Sequence, residues 1–290
     1  MAGQAFYTPP MPWHAQLQLD YDCDTTTPSP RTRARFLHDG PLRILQSLYP
    51  EGDGICHNVL VHPPGGLVGG DTLSIQVQAG AGAHGLVTTP GATRFYRSDG
   101  EWAVQDTQIH LTDGARLEWL PLEALCYSGC QAENRLQARL DAGASMLGWD
   151  VTAFGLPHAQ QPFKQGKLRQ HLALDGVWLE RGTVDAHDTR LLDSPLGLAG
   201  HRCMASIFFL SGSPLPKAQR EQALELARAC IDAHPIHASA GATSPDAQVI
   251  VVRVLAPVVE PAMQLLRQVR GAWRQHFWQL APTLPRIWSM

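Results

Sequence analysis

The sequence lacks several features that mark common functional classes. It has no run near the roughly 20 apolar residues that span a bilayer, and residues 1–10 have neither the basic patch nor the apolar core of a secretory signal. It has no G-x-x-x-x-G-K-[ST] phosphate loop and no G-x-S-x-G nucleophile elbow. These absences predict a cytoplasmic protein that carries neither a P-loop nucleotide site nor the nucleophile elbow of a hydrolase.

Charge is also scarce in this chain. Charged residues make up only 17% of the 290 residues, the formal net charge is −3, and no basic run occurs. We therefore expect no nucleic-acid or membrane partner. The six cysteines lack the short spacing of a disulfide framework, which favours a reducing compartment. Because 44% of the residues are hydrophobic, the chain can form a packed core, and we predict one domain over residues 1–290.

Glycine and proline are abundant instead, with 26 and 22 residues, and they predict many turns between short elements. Residues 73–78 alternate apolar and polar side chains, the pattern of a half-buried strand. Similar short segments lie at 109–111, 117–120 and 177–180. The fold class predicted from this pattern is mainly β, with a β body over about residues 12–210.

A weak internal repeat underlies the predicted strands. A small glycine turn recurs at Gly82, Gly114, Gly143 and Gly176, in steps of 32, 29 and 33 residues. A period of about 30 residues with several short strands per unit predicts stacked β layers, as in a β-helix. The alternative is that such turns are common in any β protein and form no repeat.

The last third of the chain changes character. Residues 217–231 and 261–278 show the periodicity of amphipathic helices, and the apolar run at 248–255 predicts a buried strand between them. We expect these two helices to add a helical layer over about residues 213–280. Aromatic side chains are frequent here and either anchor a partner protein or fill the core: Trp273, Phe277, Trp278 and Trp288.

Several residues have side chains that can bind metal ions. Cys56 and His57 are adjacent on a predicted strand, so they point to opposite faces and do not easily share one ion. Cys126 and Cys130 have no matching second pair, whereas a structural zinc site needs four ligands. A weak, transient site for Ni²⁺ or Zn²⁺ stays open.

The carboxylates allow more than one interpretation. Asp71 follows a double-glycine turn, and Glu118, Asp150 and Glu180 each lie in a strand-like apolar run. Such acids either face water or line an internal polar path, and Glu180 could pair locally with Arg181. In a rival hypothesis, Asp150 and Glu180 are the acid–base pair of a β-solenoid carbohydrate-active enzyme. A stand-alone metal-storage protein is a third possibility.

Several motifs occur in order along nearly the whole chain. The longest are HPPGGLVGGD at 62–71 and PGATRFYRS at 90–98. Shorter ones are LYPE at 48–51, the Cys56–His57 pair, LEWLP at 117–121, Trp149–Asp150, Glu180–Arg181 and LPRIW at 284–288. Together these motifs resemble the urease accessory protein D family, called H in some organisms. The two long strings make this resemblance specific.

The resemblance implies a function without catalysis. Members of that family are scaffolds in nickel insertion: they bind a helical accessory protein F, which recruits a P-loop GTPase G, and the assembly docks on the urease apoprotein. It also implies a β-rich body with two helices and an internal tunnel that conducts Ni²⁺ transiently, with no permanently bound cofactor. Carried over to this chain, the tunnel acids are Asp71, Asp150 and Glu180. Thr93 lines the tunnel where some relatives have serine.

Overall fold

A computed structural model describes residues 12–26 and 29–289 of the chain, and nearly half of these residues lie in β-strands. The strands are β1 (His14–Asp24), β2 (Arg31–Asp39), β3 (Arg43–Leu48), β4 (Cys56–Val61), β5 (Thr72–Ala79), β6 (His84–Thr88), β7 (Thr93–Phe95), β8 (Ala103–Leu111), β9 (Arg116–Leu120), β10 (Ala124–Cys126), β11 (Cys130–Leu140), β12 (Ser145–Leu156), β13 (Gln161–Pro162), β14 (Gly166–Leu174), β15 (Trp178–Asp185), β16 (Cys203–Ser211), β17 (Ala240–Asp246) and β18 (Val249–Ala256). The helices are α1 (Thr189–Asp193), α2 (Lys217–Asp232) and α3 (Val259–Trp278). Short 3₁₀ turns lie at Pro157–Ala159, His237–Ser239 and Arg286–Ser289.

The strands form two sheets that pack face to face. Sheet 1 has the order β15-β14-β11-β8-β5-β1-β2, and sheet 2 has the order β17-β18-β16-β12-β9-β6-β4-β3. Strands β7, β10 and β13 attach to sheet 2 beside β12. The middle of each sheet is parallel, from β1 to β14 in sheet 1 and from β4 to β12 in sheet 2.

This parallel arrangement arises from stacked coils, as the repeat predicted. Each coil supplies one strand to each sheet, in the pairs β5–β6, β8–β9 and β11–β12. The turns between them use Gly82, Gly114 and Gly143, which have φ values of 71°, 69° and 81°. Glycine adopts this left-handed conformation without the steric cost of a Cβ atom. The fourth turn, at Gly176, differs because it closes the antiparallel hairpin β14–β15 and so ends the stack.

The core lies in two layers. One apolar cluster fills the space between the sheets, and a second lies between sheet 2 and the helices α2 and α3. Sheet 2 is therefore covered on both faces, which explains the nearly continuous apolar sequences of β16 and β18. Sheet 1 leaves one face in water and shows alternation instead, as in β5.

The two predicted helices and the strand between them are confirmed with small shifts at their ends. Helix α3 begins at Val259, two residues earlier than predicted, with Pro261 in its first turn. Trp273 and Trp278 are buried against sheet 2, so they fill the core and are not exposed anchors for a partner. At the C-terminal end of the described residues, Arg286–Ser289 form a 3₁₀ turn directly after Pro285.

Candidate functional site

Asp150 is an acid buried between the two sheets. It lies on β12 with only 9% of its surface exposed. The Asn134 amide donates to its Oδ2 at 2.6 Å, the Gln170 amide donates to its Oδ1, and the Thr152 hydroxyl donates to Oδ1 at 3.3 Å. Burial raises the pKa of Asp150 to about 6, and the negative charge of Glu180 acts in the same direction, while these hydrogen bonds oppose the shift.

The amides that contact Asp150 belong to one register row. Asn134 on β11 pairs with Gln105 on β8 and with Gln170 on β14, so the three side chains point from sheet 1 toward sheet 2 at one level. We call these three residues the polar row of sheet 1. The Gln105 amide donates to Asn134 Oδ1 at 3.4 Å, which links the row.

Sheet 2 carries a matching row on the facing surface. Asp150 pairs with Ser206 on β16, and Ser206 pairs with Arg253 on β18. Alternation places these three residues on the face of sheet 2 that packs against sheet 1. We call Asp150, Ser206 and Arg253 the polar row of sheet 2. The two rows face each other across the space between the sheets.

Glu180 lies where this polar region reaches an open edge. It is on the edge strand β15 and pairs in register with the buried Leu172, so its side chain points between the sheets. Arg253 donates to both Glu180 oxygens, at 3.2 and 2.6 Å. The predicted local pair with Arg181 is therefore wrong, because neighbouring strand residues point to opposite faces and Arg253 of the facing sheet takes that place.

Thr93 lies at the other end of the polar region. A cavity of about 250 Å³ opens between the sheets there and is lined by Thr93, Gln105, His62 and Arg94, among others. Burial lowers the pKa of His62, while the charge of Asp71 opposes this shift. Apolar side chains such as Leu60 and Leu73 also line this cavity, and Gln105 belongs both to it and to the polar row of sheet 1.

Asp71 has different surroundings from the other predicted acids. It is 2% exposed and lies at the turn before β5. Its carboxylate accepts from the backbone N–H of Trp13 at 3.2 Å and of Val68 at 2.9 Å. These bonds connect the residue before β1 to the loop that precedes β5, and the charge of Asp71 acts on His62 of the cavity. Among the described residues, no hydrogen bond joins the Asp71 carboxylate to either polar row.

The structure thus brings Asp150 and Glu180 into one polar region, and it places Gln105 in the cavity that Thr93 also lines. The sequence motifs did not indicate the amides of this region. Gln105, Asn134 and Gln170 each occupy an inward strand position where the pattern calls for an apolar residue. The three positions lie at one level of sheet 1 only when the strands are aligned. Their register could not be derived from the sequence, because it depends on loop lengths between coils.

A second polar interior lies under helix α3. Glu118 on β9 is fully buried, with Arg270 Nε donating to its Oε2 at 2.7 Å and Arg274 Nε 3.1 Å from its Oε1. Burial alone would raise the pKa of Glu118, but Arg270, His84 and Arg274 lower it to about 2. Sequence analysis named Glu118 but did not predict its arginine partners, which lie more than 150 residues away along the chain.

Glu51 completes this group. Arg274 Nη2 donates to both Glu51 oxygens, at 3.0 and 2.9 Å, and His57 Nε2 lies 3.0 Å from Oε1. Arg270 and Arg274 also donate to the backbone carbonyls of residues 283 and 281 in the C-terminal segment. We call Glu51, Glu118, Arg270 and Arg274 the charge cluster. The negative charges of its two glutamates equal the positive charges of its two arginines. The cluster connects α3 and the C-terminal segment to sheet 2.

The cysteine and histidine motifs form no preassembled metal centre. Cys56 and His57 are both buried on β4, and His57 contacts Glu51. The hydrogen bond with the neighbouring Cys130 thiol, together with burial, raises the pKa of Cys126 well above its usual value. In residues 12–26 and 29–289, no group of three or more His, Cys, Asp and Glu side chains is placed to hold a metal ion. In the same part of the chain, no helix is long and apolar enough to cross a membrane.

Comparison with known proteins decides the family. The family model described as UreD urease accessory protein matches residues 14–289. The chain belongs to this family. It is 68% identical to the urease accessory protein UreD of Paracidovorax citrulli and 66% identical to that of Variovorax paradoxus, with 97% and 96% of this chain and all of each relative covered. The UreD of Leptothrix cholodnii is 52% identical over 96% of this chain and 99% of its own length.

Proposed function

We propose that this chain is a urease maturation factor that passes Ni²⁺ between its two sheets toward the active site of the urease apoprotein. Membership of the urease accessory protein family supports the role in urease maturation. The observation that supports the nickel path is the pair of facing polar rows, which lie between the cavity lined by Thr93 and the edge strand that carries Glu180. Thr93, Asp150 and Glu180 line this path.

The chemistry of the path suits an ion that must both enter and leave. Carboxylate and amide oxygens are hard ligands, and separated single donors hold a dication more weakly than a closed cage. Asp150 is ionisable, and its direct hydrogen-bond donors are two neutral amides and a hydroxyl. A passing dication can therefore supply the positive charge that this buried acid lacks.

The partners proposed for this function are the accessory protein F, the GTPase G and the urease apoprotein. The absence of a P-loop motif supports this division, since nucleotide hydrolysis would belong to G. The chain itself would act without catalysis. The carbohydrate-active enzyme is less favoured, because Asp150 is buried between sheets and faces amide donors, whereas a polysaccharide needs its acid and base in an open groove.

Reconstitution of urease tests the proposal. Apoprotein, Ni²⁺, GTP and the F and G proteins are combined with the wild-type chain, with Asp150→Ala or with no chain, and urease activity is followed over time. We expect Asp150→Ala to slow activation about tenfold or more while complex assembly stays intact. Asp106→Ala is the matched control, because Asp106 lies on the outer face of sheet 1.

Two outcomes would contradict the proposal. Equal activation with and without the chain would exclude a role in maturation. If Asp150→Ala activates urease at the rate of Asp106→Ala, the path between the sheets is wrong, although the scaffold role could stand. Asp71→Ala is expected to lower stability rather than nickel delivery, since its carboxylate holds two backbone amides.

A further inference from the structure

We propose that Asn134 and Gln170 gate the interior path: their amide groups must turn over before a dication can bind Asp150. This inference rests on the function proposed above, because it concerns access to the same carboxylate. It assigns a positioning role to two residues that carry no charge and that no sequence motif singled out.

The location of these amides is specific. Ala132 and Leu168 occupy the inward positions on one side of the Asn134–Gln170 pair, and Leu136 and Leu172 occupy those on the other side. All four are buried and apolar. A buried amide costs free energy unless it is hydrogen-bonded, so polar side chains at this single level, opposite Asp150, need a reason.

The hydrogen bonds at Asp150 all have its carboxylate as the acceptor. Both amides present their NH₂ groups to Asp150, one to each carboxylate oxygen, and the Thr152 hydroxyl also donates to Oδ1. N–H and O–H donors carry partial positive charge toward the carboxylate. A cation that approaches Asp150 therefore meets donors, which repel it, and not free oxygens.

An amide group can reverse this polarity without a change of volume. Rotation by half a turn replaces the NH₂ group with the carbonyl oxygen, so Asn134 and Gln170 could present two oxygens beside the carboxylate. Asn134 Oδ1 now accepts from Gln105 at 3.4 Å, so Gln105 would have to rotate with it. The row then has two states. In one, N–H groups donate to the Asp150 carboxylate; in the other, this carboxylate and the two amide oxygens surround a cation.

A purely structural role is the alternative. In that case the amides only satisfy Asp150 and never contact the ion. The two readings differ in one respect, because only a gate predicts that the oxygen atoms of these residues matter to bound nickel. An experiment that measures nickel retention separates them.

The first test changes an amide into a carboxylate. An ionised glutamate at position 170 (Gln170→Glu) has no N–H group to donate to Asp150. It adds an oxygen ligand that no side-chain rotation removes. After incubation of the full chain with NiCl₂ and desalting, we expect Gln170→Glu to retain about one Ni²⁺ per chain, several-fold more than wild type. Gln108→Glu is the matched control, because Gln108 is exposed on the outer face of sheet 1. Asn134→Asp is the second variant should Gln170→Glu not fold.

The second test removes the amide while its length is kept. Gln170→Met has neither donor nor oxygen acceptor, and we expect it to slow nickel-dependent urease activation about tenfold relative to Gln108→Met. Complex assembly and thermal unfolding are measured for both variants. A slower activation at unchanged assembly and stability supports the gate.

Four results would overturn the inference. If Gln170→Glu and Asn134→Asp retain no more Ni²⁺ than Gln108→Glu, the amides do not reach the ion. If Gln170→Glu retains Ni²⁺ but Gln170→Met does not slow urease activation, the amides lie away from the delivery route. If Asp150→Ala impairs delivery and Gln170→Met does not, the gate is wrong but the path stands; if neither variant impairs delivery, the path itself fails.

Discussion

The two polar interiors of this protein differ in how their charge is balanced. The charge cluster under α3 holds two carboxylates and two guanidinium groups, all in ion pairs. Between the sheets, Asp150 receives only neutral donors, and the one nearby ion pair, Glu180–Arg253, lies at the open edge. In the charge cluster each carboxylate contacts a guanidinium group, whereas between the sheets Arg253 pairs with Glu180 and Asp150 contacts neutral donors.

This difference separates a structural clamp from a place for a mobile cation. A buried carboxylate that already contacts guanidinium groups has its charge compensated, and loss of one partner leaves an uncompensated charge. An acid that is buried with neutral donors keeps a raised pKa and gains most from an incoming positive charge. This difference favours a stabilising role for the charge cluster and supports the transport role proposed above for the region between the sheets.

The largest expected effect tests the clamp. Glu118→Ala would leave the fully buried Arg270 and Arg274 short of a counter-charge, so we expect the free energy of unfolding to fall by about 3–5 kcal/mol. Urea unfolding followed by circular dichroism measures it. Glu221→Ala is the control, because Glu221 forms an exposed pair with Lys217 on α2 and should change stability by less than about 0.5 kcal/mol. Similar losses for both variants would show that the charge cluster is no clamp.

A second, smaller effect has the opposite sign. The pKa of Asp150 is about 6 in the folded chain against an ordinary value of 3.8, so the folded state binds this proton more tightly than the unfolded state. The ionised acid therefore costs stability, with no cost below pH 4, an increase between pH 4 and 6, and a full cost above pH 6. We expect Asp150→Asn to be about 1–3 kcal/mol more stable than wild type at pH 7 and equal to it near pH 4.

Unfolding measured across this pH range also distinguishes the two interiors. Glu118 has a folded-state pKa of about 2 against an ordinary 4.5, so its stabilising effect is complete above pH 4.5 and is lost as the pH falls toward 2. Acid thus relieves the cost at Asp150 before it weakens the charge cluster. An Asp150→Asn variant that is less stable than wild type at pH 7 would contradict the view that this acid lacks compensation.

Much of the fold could be predicted from the sequence, because local patterns determine it. The alternation at 73–78 became β5, and the glycine turns at Gly82, Gly114 and Gly143 became the corners of the stacked coils. The helical periodicity at 217–231 and 261–278 became α2 and α3. Each of these signals depends on neighbouring residues along the chain.

The candidate site was only partly predictable, because it depends on contacts between distant residues. Family motifs pointed to Asp150, Glu180 and Thr93, yet the amides of Asn134 and Gln170 lie in no motif, and their alignment with Asp150 follows from strand register. Arg253 lies 73 residues from Glu180 in the chain. No local pattern distinguishes Arg253 from a solvent-exposed arginine, so the nearby Arg181 was the wrong partner for Glu180.

The smallest expected effect sharpens the comparison by separating pairing from burial. Glu180 and Arg253 form a two-bond ion pair like those of the charge cluster, but their side chains are 29% and 45% exposed. Water screens such a pair, so Arg253→Gln should lower the free energy of unfolding by less than about 1 kcal/mol, and added salt should reduce this difference. Urea unfolding of Arg253→Gln beside Arg270→Gln, at low and high salt, makes the measurement. Equal losses would mean that pairing alone stabilises both regions. A large loss for Arg270→Gln only would show that burial gives the charge cluster its strength and leaves Glu180 free to exchange Arg253 for another cation.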